Sequence, residues 1–302
     1  MENKLIVFGG SGSLDLTTKI CRNLNISQGN CKILRFSEGN IYVQIDENIR
    51  GSDVYVIQTL ANPVNDNFLE LLFLLDACKR ANAKTITAVV PYFSYGKGDK
   101  MDDLQVSVRA RVCADAITVS GAGRVIFVDL HTQQIQGFFN IPVNNLHALP
   151  IFCNALKEKS LVDPVIVAPD IGFIKQARSF AKALDCPVVM IHKDRIDHNE
   201  NPVVVDVFGD VKGKSAIIVD DFIATGGTLL AAAHKLNEMG ASSVWAAVTH
   251  GLFTRNAFER INDSPIDGLM ITDTIDNQAI LTGKKIYVLS VAPLICNAIL
   301  GN

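Results

Sequence analysis

The stretch Ala216-Ile217-Ile218-Val219-Asp220-Asp221-Phe222-Ile223-Ala224-Thr225-Gly226-Gly227-Thr228 decides how the rest of the chain is read. Four apolar residues, 216–219, make a buried strand. Two adjacent carboxylates follow at its C-terminal end, and a small glycine-containing turn then opens a helix predicted over 227–239. Ligands of open α/β sheets bind at that end of the strands. Gly226 and Gly227 lack Cβ atoms, so backbone N–H groups can approach an anion closely. The helix N-terminus adds unpaired N–H groups and the positive end of a dipole, and Thr225 and Thr228 add hydroxyl donors. Such a cradle suits a monoester phosphate. Asp220 and Asp221 would repel phosphate, so they suit sugar hydroxyls or a hydrated cation a few ångströms away. A bare Thr-Gly-Gly-Thr would be no more than a helix-start turn. With the apolar run and the paired acids it is a candidate sugar-phosphate site.

Working outward, strand-like and helix-like segments alternate. Strands are predicted at 4–8, 54–57, 85–90 and 125–128, then at 165–168, 188–191, 216–219 and 243–248. Helical spacing appears at 13–24, 68–81, 173–184 and 227–239, and the segment 291–300 closes the chain. Alternation of this kind builds mainly parallel sheets covered by helices on both faces. A weak internal echo runs from 52–57 through a helix to 86–90, and again from 216–219 through a helix to 244–248. The boundary between halves falls near Pro142–Pro150, and we divide the chain into domains 1–146 and 147–302. Gly9-Gly10-Ser11-Gly12-Ser13 lacks the lysine of a phosphate-binding P-loop and the spacing of a dinucleotide fingerprint, so it reads as a strand-to-helix turn. Trp245 reads as core.

Composition narrows the function classes. The 302 residues are 48% hydrophobic and 20% charged, with a net charge of −3, so long disordered tracts and bulk attraction to nucleic acid are not expected. No apolar run approaches the roughly 20 residues of a membrane span, and no secretory signal is read at the N-terminus. Seven cysteines without a Cys-x-x-Cys pair fit buried thiols in a reducing cytoplasm better than disulfides or zinc.

The 216–228 stretch resembles the ribose-5-phosphate loop shared by type I phosphoribosyltransferases and ribose-phosphate diphosphokinases. Other segments choose between them. Val128-Asp129-Leu130-His131, Gln133-Gln134-Ile135-Gln136-Gly137-Phe138-Phe139 and Ile141-Pro142-Val143 resemble the diphosphokinase pattern. So do Arg35-Phe36-Ser37-Glu38-Gly39, Asn48-Ile49-Arg50-Gly51, Asn65-Asp66-Asn67 and Pro91-Tyr92-Phe93. The resemblance spans nearly the whole chain. It implies an α/β fold of two phosphoribosyltransferase-like domains, each a mainly parallel sheet flanked by helices. It also implies transfer of the diphosphate of ATP to the anomeric oxygen of ribose 5-phosphate, giving PRPP and AMP.

The resemblance carries over residue by residue. It makes His131 and Asp170 contacts of Mg²⁺, with Asp129 behind them, and Lys193 and Arg195 catalytic cations that meet charge on the transferring diphosphate. Asp170-Ile171-Gly172 matches the diphosphate loop. Asp220 and Asp221 match the ribose-contacting acids, and Ala224, Thr225, Gly226, Gly227 and Thr228 the 5-phosphate cradle. Phe36, Glu38, Asn40, Lys97 and Gly98 match the ATP side. Family members are homo-oligomers, often hexamers, and some respond to phosphate and ADP; neither nucleic acid nor membrane is an implied partner.

The ATP side departs from the family pattern. Glu38-Gly39-Asn40 stands for Asp-Gly-Glu, and Gly96-Lys97-Gly98-Asp99 for Ala-Arg-Gln-Asp. Lys97 keeps a charge without the planar guanidinium, and Gly98 has no side chain to meet a nucleotide. Phe173 replaces a diphosphate-loop glycine, and Ala224 a cradle aspartate. Two other readings therefore stand beside the first: a catalytically weak regulatory paralogue, and a phosphoribosyltransferase.

Overall fold

The apolar runs of the sequence become strands of two sheets. The computed structural model describes residues 4–194, 203–276 and 285–301. These fall into two units. The first holds residues 4–147, 274–276 and 290–301, and the second residues 148–273 and 285–289.

The first unit begins with β1 (Leu5–Gly9), α1 (Leu14–Leu24) and an antiparallel hairpin of β2 (Cys31–Arg35) and β3 (Ile41–Ile45). It continues through β4 (Asp53–Ile57), α2 (Val64–Arg80), β5 (Thr85–Val90), α3 (Arg109–Ser120), β6 (Arg124–Val128) and β7 (Val143–Leu146). Five strands form one parallel sheet in the order β1-β4-β5-β6-β7. Val54, Val56, Ala88, Val90 and Phe127 are fully buried or nearly so, as central strands covered by helices must be. Leu71, Leu74, Leu75 and Cys78 of α2 and Ile117 of α3 pack onto them.

The second unit contains α4 (Leu149–Lys157), β8 (Val165–Ala168), α5 (Ile174–Leu184), β9 (Val188–Asp194), β10 (Val203–Phe208), β11 (Ser215–Ile223), α6 (Gly227–Glu238), β12 (Ser243–Gly251), α7 (Ala257–Asn262), β13 (Gly268–Thr272) and β14 (Ile286–Leu289). Its seven-stranded sheet runs β10-β9-β8-β11-β12-β13-β14, parallel except for the antiparallel β9–β10 pair. The echo seen in the sequence corresponds to β4-α2-β5 and β11-α6-β12, each joining two neighbouring parallel strands.

The domain expectation is corrected on its C-terminal side, where residues 274–276 and 290–301 fall in the first unit, as does His147. The last helix, α8 (Ala292–Leu300), belongs to the first unit and packs on α1. The Cys296 thiol donates to the Ile20 carbonyl at 3.6 Å, and the Tyr55 hydroxyl donates to the Ile299 carbonyl at 3.3 Å. Trp245 is also less enclosed than expected: its partly buried ring covers Gly268 and stacks on Tyr287 with centroids 5.8 Å apart.

The glycine-rich turn before α1 wraps a buried polar group. Glu70 is 4% exposed and accepts from the backbone N–H and the hydroxyl of Ser11 and from the Gln58 amide. Gln58 in turn accepts the Gly12 N–H at 2.9 Å. A Cβ on Gly10 would overlap the Gln58 amide, so the glycine serves this close approach.

Candidate active site

The carboxylates of the 216–228 stretch lie inside β11, which runs on to Ile223, and do not follow it. Its ladder to β8 pairs Ala216 to Ile218 only, while its ladder to β12 continues to Ile223. Beyond Ile218 the β8 side of the strand therefore has no strand partner. The two acids also serve the strand's own backbone: Asp220 Oδ1 accepts the Asp221 N–H at 2.9 Å, and Asp221 Oδ1 accepts the Phe222 N–H at 3.0 Å. Buried N–H groups require such partners. Burial pushes the Asp220 carboxyl well above the usual carboxylate range, and the charges of Asp221 and Asp170 push it further. A proton, a hydroxyl-bearing ligand or a cation relieves that crowding.

The turn after β11 has the form of an anion cradle. Gly226 caps α6 with φ +75°, and no side chain caps the helix. Its left-handed backbone explains the glycine, because the space around it would accommodate a Cβ. The first-turn N–H groups of α6 are thus left to a ligand or water. Two residues absent from the sequence reading hold the turn from behind. Thr254 N–H donates to the Ala224 carbonyl at 3.0 Å, and Arg260 reaches the Thr225 carbonyl at 3.4 Å. They lie in the segment after β12, about 30 residues away, and no local pattern marks them.

Asp170 starts a 3-10 turn, Ile171–Phe173, just past β8, and its carboxylate accepts the Phe173 N–H at 3.1 Å. Lys193 is in β9, opposite Val204 of β10. Arg195 lies outside the described residues.

In the first unit, the segments that the resemblance assigns to the nucleotide gather around the start of α2. Phe36, Glu38 and Asn40 are exposed at the hairpin turn, closed by Phe36 N–H to the Asn40 carbonyl at 2.8 Å. Neighbouring Arg35 pairs with Asp66 at 2.7 Å. The turn Ser94–Gly98, which carries Lys97 and Gly98, is tied to the same helix end because the Tyr95 hydroxyl donates to Asn65. His131 follows β6 and is exposed. A Cβ on Gly96 would come 3.9 Å from the His131 Cβ, and the Thr132 hydroxyl donates to Asp99 at 2.7 Å. Lys97, Gly98 and His131 therefore belong to one cluster.

Asp129, at φ +42°, turns the chain between β6 and His131. Its carboxylate meets His147 Nδ1 at 2.9 Å, and this hydrogen bond raises the imidazole above its ordinary pKa. A raised histidine contributes stability fully below its unfolded pKa of about 6.5 and loses it as pH climbs through the folded value. Asp129→Asn is expected to lower the His147 midpoint in an NMR titration; an unmoved midpoint would refute the pairing.

Among the described residues, no three or more His, Cys, Asp or Glu side chains are grouped to hold a metal ion. Mg²⁺ needs no such cage: it retains several waters and takes one or two carboxylates plus substrate phosphates. The oxygen donors of Asp170, with Asp220 and Asp221 close enough to share its electrostatic field, suit that ion.

A two-unit α/β architecture with an uncapped, glycine-started helix beside paired aspartates defines a class of sugar-phosphate-handling proteins. Residues 5–121 match the model of the N-terminal domain of ribose phosphate pyrophosphokinase, and residues 195–301 match that of the phosphoribosyl synthetase-associated domain. The chain is 45% identical to a ribose-phosphate pyrophosphokinase of Aquifex aeolicus, covering 98% of this chain and 95% of that one. It is 43% identical to one from Nostoc sp., covering 97% and 89%. The crystal structure of phosphoribosylpyrophosphate synthetase from Mycobacterium smegmatis superposes with a TM-score of 0.92 at 35% identity, covering 99% of this chain and 98% of that one. The chain belongs to the ribose-phosphate pyrophosphokinase family.

Proposed function

We propose that this protein transfers the diphosphate of ATP to the anomeric hydroxyl of ribose 5-phosphate, releasing AMP and PRPP. The observation that carries the reading is the near end-to-end likeness to relatives that bear the pyrophosphokinase name. The α6 cradle supplies backbone donors for the 5-phosphate, and Asp220 and Asp221 accept ribose hydroxyls. The anomeric oxygen attacks the β-phosphorus in line, the bond from that phosphorus to the bridging oxygen of AMP breaks, and AMP leaves. Such transfer depends mainly on orientation and on offsetting charge. Lys193 and Arg195 are the cations for that charge. Phe36, Glu38, Asn40, Lys97 and Gly98 face the nucleotide. His131 and Asp170 would hold Mg²⁺, which neutralises phosphate charge when bound.

The test mixes purified protein with ribose 5-phosphate, Mg²⁺ and ATP and follows AMP and PRPP. Equal release of both is the expected result. Base-dependent consumption of PRPP would replace the reading with a phosphoribosyltransferase, and silence with every nucleotide would favour the regulatory paralogue. Within this scheme Gly226→Ala forces a side chain into the left-handed region, at about 1–2 kcal/mol. Its expected effect is a several-fold rise in KM for ribose 5-phosphate with KM for ATP unchanged; equal KM values would remove the cradle from this position.

No helix among the described residues is long and apolar enough to cross a membrane. The reading includes a cytoplasmic homo-oligomer, hexameric by family resemblance, which sedimentation would size.

A further inference from the structure

Gly98 is buried, yet its backbone does not occupy the left-handed region that demands glycine. Space explains it. A Cβ there would overlap Arg109 Nε and crowd the Cβ and Cζ of the same side chain at 3.0 Å. The Arg109 side chain thus lies across Gly98, within the same turn that carries Lys97.

The charge of Arg109 is unusual for its surroundings. Lys100 pairs with Asp102 at 3.4 Å, and Arg111 pairs with Asp115 at 2.9 Å. Asp99, the acid next to Gly98, is engaged by the Thr132 hydroxyl. Among the described residues no carboxylate pairs with Arg109, which is exposed. It is also the first residue of α3, where a cation opposes the helix dipole. Neither an internal ion pair nor helix electrostatics accounts for the guanidinium at this position. A nucleoside triphosphate does, since a guanidinium forks phosphate oxygens and stacks on a purine.

We propose that Arg109 is the guanidinium that contacts the nucleotide donor in this protein, reaching it from α3 across Gly98. The side chain that residues 97 and 98 lack is thereby supplied from a different element. This rests on the reading that the turn at 94–98 faces the nucleotide.

The experiment measures Mg²⁺-ATP binding by titration calorimetry, and steady-state kinetics beside it. R109Q is expected to weaken ATP binding and raise KM for ATP by about tenfold, leaving KM for ribose 5-phosphate unchanged. R109K should recover only part of the loss. G98A, which pushes the guanidinium aside, should weaken ATP in the same direction, and its thermal melt reports whether it is folded. ATP affinity equal to wild type in folded R109Q overturns the proposal. Wild type that forms PRPP while R109Q binds ATP normally removes this inference and leaves the function standing. Wild type that forms no PRPP but binds ATP through Arg109 removes the function and leaves the inference. Wild type that binds no ATP overturns both.

Discussion

Lys193→Ala is expected to lower kcat about a hundredfold, with KM for ribose 5-phosphate little changed. In phosphoryl transfer the protein adds little covalent chemistry, so a cation aimed at the developing charge is a large part of what it contributes. Removing one such donor from a closed site costs on the order of 3 kcal/mol of transition-state stabilisation, which is about a hundredfold in rate. Position 193 is in β9 and pairs with Val204 of β10, three residues beyond the end of the β8 ladder at Met190, so one neighbouring strand anchors the backbone whatever side chain it carries. The measurement is AMP release at saturating substrates, with the thermal melt as a check on folding. A kcat within threefold of wild type would remove Lys193 from the chemistry and the proposed role of this segment with it.

Glu70→Ala is expected to cost the first unit about 2 kcal/mol. The carboxylate is 4% exposed and receives the Ser11 hydroxyl at 2.8 Å and the Gln58 amide at 2.9 Å, besides the Ser11 N–H. Alanine would leave the buried Gln58 amide with only the Asn67 carbonyl at 3.3 Å, while exposed Ser11 would turn to water; loss of a buried partner costs about 1–3 kcal/mol. Glu70→Gln keeps the shape but turns an amide N–H₂ toward donors, so its loss should be smaller and still measurable. Native-state hydrogen exchange of the β1 and β4 amides reads the change directly. Protection unchanged in Glu70→Ala would mean that the turn before α1 holds its shape without this network.

Much of the fold was legible because parallel strands buried on both faces are written as short apolar runs. Those at 54–57, 85–90, 125–128, 165–168 and 216–219 all lie in strands of the two sheets. The hairpin Cys31–Arg35 and Ile41–Ile45 was not read, although Ile41, Val43 and Ile45 alternate with exposed Tyr42 and Gln44. Its signal is period two with only one face half-buried, far weaker than an apolar run. The helix α3 was also missed: its buried stripe, Ala110, Cys113, Ala114 and Ile117, is mostly of small residues, and exposed Val112 and Val119 on other faces blur it. In the candidate site, the aspartate pair and the glycine turn stood out because they are contiguous. Thr254, Arg260 and Arg109 did not, because each acts on a segment distant in sequence.

The amino-acid order alone determined the alternation of strand and helix, the position of the glycine turn at Thr225 to Thr228 and the family likeness. These are carried by local runs whose chemistry is complete within a dozen residues. Only the tertiary structure decided that α8 returns to α1, that Asp220 titrates high beside Asp221 and Asp170, and that Gly98 is small because Arg109 lies over it. The first two depend on groups brought together across tens or hundreds of residues, and the third on two positions in separate elements. Burial, charge proximity and excluded volume arise there between groups that no spacing in the sequence relates.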